Sequence, residues 1–205
     1  MTSVVAATLD RVHDRYVLDR RVRVIAEHLA TLVPPHSDVL DVGSGDGAVA
    51  HEVMRLRPDI SAEGIDVLVR GTTRIPVRIF DGRRIPARDR SVGTVMLVDV
   101  LHHTDDPAAL VAEAARVARH AVVIKDHLAD AALARPTLAF MDRVGNVRHG
   151  VRLPHRYLRR AEWDDAFARA GLRVDTWIPR LGLYPAPAGW LFDRSLHFAA
   201  RLVAR

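Results

Sequence analysis

The sequence predicts an α/β fold with a doubly wound, mostly parallel sheet and an N-terminal helical extension. Short runs of β-forming residues alternate with segments of helical periodicity, which is typical of parallel strands joined by crossover helices. A glycine-dense turn, Gly43–Gly47, follows the first such run and leads into a helix. The chain has 205 residues, 49% of them hydrophobic, so it suits one domain with a sizeable core.

In the N-terminal half, one long predicted helix is followed by alternating strands and crossover segments. Apolar residues recur near helical spacing from Leu9 to Val33, and Pro34 and Pro35 end this helix. The interval Val67–Pro76 is too short for a full helix, so the second crossover is expected to be abbreviated. The other elements predicted here are strands at 38–42, 60–66, 77–80 and 94–98 and a helix at 46–57.

The C-terminal half is predicted to contain three helices and three strands. Pro136 is expected to interrupt the second of these helices, and Gly171 stands in the favoured position to end the third. The helices are predicted at 107–119, 129–144 and 160–170. The strands are predicted at 121–125, 172–178 and 195–203, with a loop at 179–194 between the last two.

The glycine-dense turn carries two acids, Asp41 and Asp46, and these indicate its ligand. Gly43, Gly45 and Ala48 also fit the dinucleotide fingerprint loosely, so spacing alone does not identify what binds. Carboxylates in and beside the turn would repel a pyrophosphate, whereas they would attract a ligand with an ammonium and a sulfonium group. The charges therefore favour S-adenosylmethionine over NAD.

Three further motifs follow the turn in a consistent order: Gly64-Ile-Asp66, Phe80-Asp81-Gly82 with Ile85-Pro86, and Val95–Val100 with Leu101-His102-His103. With these motifs the chain resembles the class I (Rossmann-like) S-adenosylmethionine-dependent methyltransferases, particularly a small bacterial Val-Leu-His-His group. The resemblance covers residues 36–127 best. It implies a seven-stranded sheet with a terminal antiparallel hairpin, and S-adenosyl-L-methionine as the cofactor.

The resemblance also implies which residues hold the cofactor, all of them after the carboxyl ends of strands. Asp41 would balance the positive charge, Asp66 would accept from the ribose hydroxyls, and Asp81 would accept from the adenine amino group. Ordinary turn or cap roles are the alternative for each acid taken alone, but three acids at three successive strand ends favour binding. The predicted cofactor-binding residues are Asp41, Gly43, Gly45, Asp66, Asp81, Gly82, Leu97 and Val98.

Residues suited to acid–base chemistry cluster after the fourth and fifth strands. The predicted catalytic residues are His127, His103, Lys125 and Asp99, with His102 and Asp126 beside them. Helix capping, packing beneath the cofactor and a solvated ion pair are the alternatives for these side chains. A metal held by Asp99, Asp126 and nearby histidines is a further alternative, but the usual acid–asparagine pair is not evident, so no metal is predicted.

Two later segments are predicted to form the acceptor pocket. The first spans 140–150 and contributes Asn146 and His149, and the second spans 181–192 and contributes Tyr184 and Trp190. The second segment is apolar and rich in proline, so the acceptor is expected to be largely apolar or aromatic, with buried packing as the alternative.

We expect a single domain with a lid at 1–35, a cofactor-binding core at 36–127 and a substrate-facing part at 128–205. His13, Tyr16 and Arg20 are the lid residues expected to close over the cofactor.

The composition bears on the protein's location and on the kinds of partner it can bind. Cysteine is absent, no apolar run is long enough to span a membrane, and cytoplasmic residence is expected. The net charge is +5, but the arginines are interspersed with acids, so a nucleic-acid partner is not expected.

The predicted function is methyl transfer to a small molecule at oxygen, nitrogen or carbon. An RNA or protein methyltransferase, or a domain that binds the cofactor without methylating, remains the alternative, and the oligomeric state is not predicted.

Overall fold

The computed structural model describes residues 18–146, 156–186, 188–193 and 195–205. The first helix, α1, covers residues 18–32 of the described chain. The following helices are α2 (Ala48–Leu56), α3 (Pro107–Val117), α4 (Ala134–Asn146), α5 (Arg160–Arg169) and α6 (Ala188–Phe192). The strands are β1 (Asp38–Val42), β2 (Ser61–Asp66), β3 (Val77–Ile79), β4 (Val92–Val98), β5 (Ala118–His127), β6 (Leu172–Ile178) and β7 (His197–Ala204).

The seven strands form one sheet in the order β3-β2-β1-β4-β5-β7-β6. β1 to β5 pair in parallel, while β7 runs antiparallel to both β5 and β6. The predicted mostly parallel sheet with a terminal antiparallel hairpin is therefore confirmed. Because β1 lies between β2 and β4, the chain changes direction across the sheet at β1, which opens a crevice at the carboxyl ends of these strands.

Alternation along the strands divides the core into two layers. In β5, Val122 and Ile124 face a layer that includes α3 and α5, whereas Val123 faces a layer that includes α1 and α2. Phe198 on β7 stacks on Trp177 with a ring-centroid distance of 4.3 Å. Both faces of the sheet are thereby covered, as parallel strands require.

Most predicted elements appear near their expected positions, but α4 and α6 differ. α4 begins at Ala134, five residues later than expected, because Ala129 donates its backbone N–H to Leu158 and leaves helical geometry. Pro136 then falls in the first turn, where its missing N–H breaks no helical hydrogen bond, so the predicted interruption is wrong. The short helix α6 lies in the segment predicted as a loop.

The boundary between α3 and β5 also differs from the prediction. β5 starts at Ala118 rather than at 121, and α3 correspondingly ends at Val117 instead of 119. Of the predicted N-terminal helix, residues 9–17 lie outside the described residues, as do the lid residues His13 and Tyr16. Within the part of the chain that the structure describes, no helix has the length and apolar character to cross a membrane.

Candidate active site

The glycine turn after β1 packs directly against the segment that follows β4. Gly43 has a φ of 75°, a conformation that glycine adopts without steric cost. A Cβ atom on Gly43 would lie 2.3 Å from Val100 Cγ2, so only a glycine permits this contact. A Cβ atom on Gly45 would meet only the side chain of Arg70, at 3.6 Å or more. The turn is therefore close-packed on one side at Gly43 and lined only by a flexible arginine at Gly45.

Asp41 is a buried carboxylate in β1 that lacks a hydrogen-bond partner for its Oδ1 among the described residues. Burial, together with the nearby charge of Asp66, raises the pKa of Asp41 to about 7. An unpaired buried carboxylate is costly, and such a group in a native protein calls for an explanation. A cationic ligand would supply the missing partner, which fits the ammonium and sulfonium groups of S-adenosylmethionine.

Asp66 and Asp81, the other two predicted cofactor acids, each bind backbone N–H groups in the structure. Asp66 at the end of β2 accepts from Gly45 at 2.8 Å, so it links the second strand to the glycine turn. Asp81 accepts from the backbone N–H groups of Arg83 and Arg84, both at 2.8 Å, and these bonds lower its pKa. Both acids therefore have a structural role that is compatible with the predicted ligand contacts.

The strand ends bring the predicted cofactor residues to one edge of the sheet. Val42 pairs with both Ile65 and Leu97, which places the residues that follow β1, β2 and β4 side by side. Leu97 is fully buried and Val98 is partly exposed. Gly82 follows Asp81 with a φ of 76°. These residues would hold the cofactor along the crevice at β1.

A second group of polar side chains lies beside this crevice, at the carboxyl ends of β4 and β5. Asp99 has a φ of 53°, a strained backbone conformation of the kind that concentrates at functional sites. Lys125 is fully buried and lies 2.5 Å from Asp99 Oδ1, while Arg21 of α1 lies 2.7 Å from Asp99 Oδ2. Burial alone would raise the pKa of Asp99, but the two cations hold it well below its usual range. Asp99 is therefore an anion fixed by two cations.

His102, Asp126 and His127 form the buried centre of this group. Asp126 Oδ1 lies 2.7 Å from His102 Nδ1 and 3.3 Å from His127 Nδ1. The two Nδ1 atoms are 3.1 Å apart. Burial lowers the pKa of His127 to about 4, with a further contribution from His102. The three side chains occupy the interior, so they reach the cleft only through their neighbours.

His103 stands at the margin of the same group. Its side chain is partly exposed, and its ring centroid lies 4.0 Å from that of His102. Its Nδ1 has no hydrogen-bond partner within the described chain. Burial, and then the adjacent His102, lower its pKa. Of the predicted catalytic histidines and lysine, His103 is the one whose side chain is partly exposed, although its unpaired Nδ1 is itself buried.

The predicted acceptor residues are only partly brought to this site. Tyr184 accepts a hydrogen bond from Arg21 at 3.2 Å, which places it near Asp99. Trp190 is 77% exposed on α6. Asn146 is the last residue of α4, and His149 lies outside the described residues.

The structure adds three polar residues that the sequence did not single out, Asp142, Tyr157 and His197. Asp142 Oδ2 lies 3.5 Å from His102 Nε2 and accepts a hydrogen bond from the Tyr157 hydroxyl. His197 at the start of β7 has its ring 5.0 Å from that of His127. The only available signal was that His197 lies near the start of the strand predicted at 195–203, since the other contacts join segments far apart in the chain.

Comparison with known protein families identifies one family that matches most of the chain. Residues 13–176 match the family described as a methyltransferase domain. No functionally curated protein matches the sequence.

Three solved structures illustrate the likeness. A putative methyltransferase from Haloferax volcanii, in complex with the Trm112 methyltransferase activator, is 18% identical with a TM-score of 0.66, covering 94% of this chain and 93% of that one. An S-adenosylmethionine-dependent methyltransferase from Aquifex aeolicus is 17% identical with a TM-score of 0.60, covering 90% and 93%. Geranyl diphosphate C-methyltransferase from Streptomyces coelicolor is 13% identical with a TM-score of 0.63, covering 88% and 78%.

The family match spans most of the chain, and the fold agrees with all three structures. The predicted cofactor is confirmed at the level of the family, while the narrower Val-Leu-His-His grouping stays a prediction. The chain belongs to the methyltransferase domain family and is a class I enzyme that uses S-adenosylmethionine.

Proposed function

We propose that the enzyme methylates a small, largely apolar or aromatic molecule at oxygen, nitrogen or carbon. The observation that carries this proposal is the position of His103, a partly exposed imidazole at the margin of the buried polar group next to the cofactor crevice. Val100, which touches the glycine turn, stands only three residues before it. A proton acceptor is therefore available beside the place where the methyl group is expected.

Methyl transfer is an in-line displacement, and S-adenosylmethionine supplies a methyl group already activated by the positive charge on its sulfur. The protein's main contribution is then to hold the acceptor atom close and aligned. An acceptor that begins as O–H, N–H or C–H must also lose a proton, and we assign that role to His103. Lys125, Asp99 and His127 are positioning residues in this proposal, since the first and last are buried and Asp99 is tied to two cations.

Apolar side chains near the same edge of the sheet support an apolar acceptor. α6 lies between the carboxyl end of β6 and the start of β7, and its residues Trp190 and Leu191 are 77% and 50% exposed. Phe140 on α4, which follows β5, is 58% exposed. Exposed aromatic groups of this kind suit contact with an apolar ligand more than contact with a phosphate backbone.

Transfer of a labelled methyl group from S-adenosylmethionine into cell extracts separates the acceptor classes. We expect label in the small-molecule fraction, and label found only in RNA or only in protein would overturn the proposal. Once an acceptor is identified, His103→Ala should lower kcat by roughly 10²- to 10⁴-fold, the usual contribution of a general acid or base. Its affinity for S-adenosylmethionine should stay unchanged, and His51→Ala on the exposed surface of α2 is the matched control.

A protein partner is a second candidate, favoured by the edge strand β3. Ile79 on β3 is 71% exposed, and Val67 and Leu68 after β2 are 59% and 62% exposed. The Haloferax neighbour is in complex with a protein activator. We propose that a partner covering this edge would bury these apolar residues, and Ile79→Lys should then weaken its binding. Full activity of the chain purified alone would show that such a partner is not required.

A further inference from the structure

We propose that the carboxyl ends of β4 and β5 form a binding site for a zinc-like divalent metal ion, with His102, His127 and Asp126 as its main ligands and Asp99 closing the fourth position. Each of the four residues offers one ligand atom, and all four atoms lie within 4.8 Å of one another. Two imidazole nitrogens and two carboxylate oxygens are a donor set that zinc favours. From the sequence, a metal held by Asp99, Asp126 and nearby histidines was an alternative that was not predicted.

The distances within the cluster fit four-coordinate geometry. A tetrahedral zinc ion bound at about 2.0–2.1 Å separates its ligand atoms by roughly 3.3 Å. The observed separations are 2.7 Å between His102 Nδ1 and Asp126 Oδ1, 3.1 Å between the two Nδ1 atoms, and 3.3 Å between His127 Nδ1 and Asp126 Oδ1. Asp99 Oδ1 is 3.9 Å from His127 Nδ1. The separations of 3.1 and 3.3 Å match this spacing, while the 2.7 and 3.9 Å pairs must each adjust by about 0.6 Å when a metal binds.

Hydrogen bonding gives an alternative account of the same contacts. A protonated His102 Nδ1 can donate to Asp126 Oδ1 at 2.7 Å and face an unprotonated His127 Nδ1 at 3.1 Å. Asp126 Oδ1 can also accept the backbone N–H of His127 at 2.7 Å, since a carboxylate oxygen accepts more than one hydrogen bond. A central cation would instead use the lone pairs of both nitrogens and of the carboxylate at once, and metal titration distinguishes the two arrangements.

Outer contacts orient the ligands as they do in known metal sites. A metal-binding histidine commonly has its second ring nitrogen beside a carboxylate. His102 Nε2 lies 3.5 Å from Asp142 Oδ2, and Asp142 is held in turn by the Tyr157 hydroxyl. The other oxygen of Asp126 accepts from the backbone N–H of Leu101 at 3.0 Å. Two of the three main ligands are thus fixed from outside.

Asp99 is expected to be the weakest ligand and the open side of the site. Its Oδ1 is shared with Lys125 at 2.5 Å, and Arg21 holds its other oxygen. Its side chain is 22% exposed, whereas those of His102, Asp126 and His127 are almost fully buried. When a ligand displaces Asp99, three protein ligands and an open fourth position remain, which is the arrangement of a catalytic zinc site rather than of a closed structural one.

The test measures metal binding by the full-length, untagged protein without cofactor or acceptor, so its result is independent of the methyl-transfer proposal. After treatment with a chelator, the protein is titrated with Co²⁺ or Zn²⁺. We expect one equivalent to bind, with the visible Co²⁺ absorption of a four-coordinate site. Asp142→Asn should weaken binding about 10- to 100-fold, the usual effect of removing such an outer contact.

His127→Phe replaces a ligand by an apolar ring and should abolish binding. His197→Phe is the matched control, because it removes a buried histidine beside His127 that is not a ligand, and it should bind normally. Circular dichroism checks that each variant folds. If His127→Phe does not fold, X-ray absorption at the zinc edge of the wild type should show two imidazole ligands. No uptake by the wild type, equal uptake by a folded His127→Phe, or a zinc spectrum without imidazole would each overturn the proposal.

Discussion

Binding of S-adenosylmethionine should weaken as the pH falls below 7, because Asp41 must lose a proton to act as its counter-charge. The pKa of Asp41 in the empty site is about 7, raised by burial and by Asp66. If only the ionised form binds, the apparent dissociation constant is multiplied by one plus the ratio of protonated to ionised carboxyl. This factor is roughly 11 at pH 6 and 1.3 at pH 7.5, so the affinity should rise roughly eightfold between them.

Isothermal titration calorimetry from pH 6.0 to 7.5 measures this dependence. Asp41→Asn keeps the size of the side chain but cannot ionise, so its affinity should be lower and nearly independent of pH. Asp59→Asn is the control, since Asp59 is paired with Arg57 at the opposite end of α2 from the turn and should leave the slope unchanged. An equal slope in Asp41→Asn and the wild type would refute the reasoning.

The same shift has a consequence for the stability of the cofactor-free protein. The pKa of Asp41 is higher in the folded chain than its ordinary value of 3.8, so the folded state keeps the proton to higher pH than the unfolded state. Its stabilising contribution is complete below pH 3.8 and is lost as the pH rises through 7, by about 1.4 kcal/mol per unit of pH in between. Urea unfolding of Asp41→Asn should therefore show a flatter dependence on pH over this interval than the wild type.

Three further substitutions test other parts of the structure. Asp66→Ala removes the acceptor of the Gly45 N–H and should cost about 1–3 kcal/mol of cofactor binding by calorimetry; unchanged affinity would contradict the role given to Asp66. Phe198→Ala removes a buried ring that stacks on Trp177 and should lower the free energy of unfolding by about 3–5 kcal/mol in urea, and a loss below 1 kcal/mol would be inconsistent with that packing. Lys125→Met leaves a largely buried carboxylate with one cation fewer and should cost about 3 kcal/mol by the same assay; a variant as stable as the wild type would show that the pair is dispensable for folding.

The fold was predictable from the sequence because its signals are local. The alternation of strand-forming runs with helical periods predicted the parallel sheet, and the acids at three successive strand ends predicted which edge of it binds the cofactor. The start of α4 was not predictable in this way. Ala129 accepts an extended conformation because its backbone N–H finds Leu158, which lies far along the chain.

The interior of the site was predictable only in part. Asp99, Lys125 and His127 end adjacent strands, so their proximity followed from the strand order. Arg21 reaches Asp99 from α1 across 78 positions, and Asp142 reaches His102 from α4. A side chain on a helix has no sequence signal that tells which strand end it will meet, because that depends on the packing of the two elements.

The buried charges at the ends of β4 and β5 are better explained by function than by stability. Transferring Lys125 and Asp126 from water to the interior is costly, and their pairing with Asp99 and His102 only partly offsets that cost. Replacing all of these charged groups together by apolar residues of similar size is often neutral for stability, although removing one partner alone is costly. Fixed charges and imidazole nitrogens beside the cofactor crevice, by contrast, can bind a cation or move a proton. Val100 lies against Gly43 between the two regions, so the crevice and the charged group share one wall. A substitution in the crevice or in the charged group can therefore affect the other region through the contact between Val100 and Gly43.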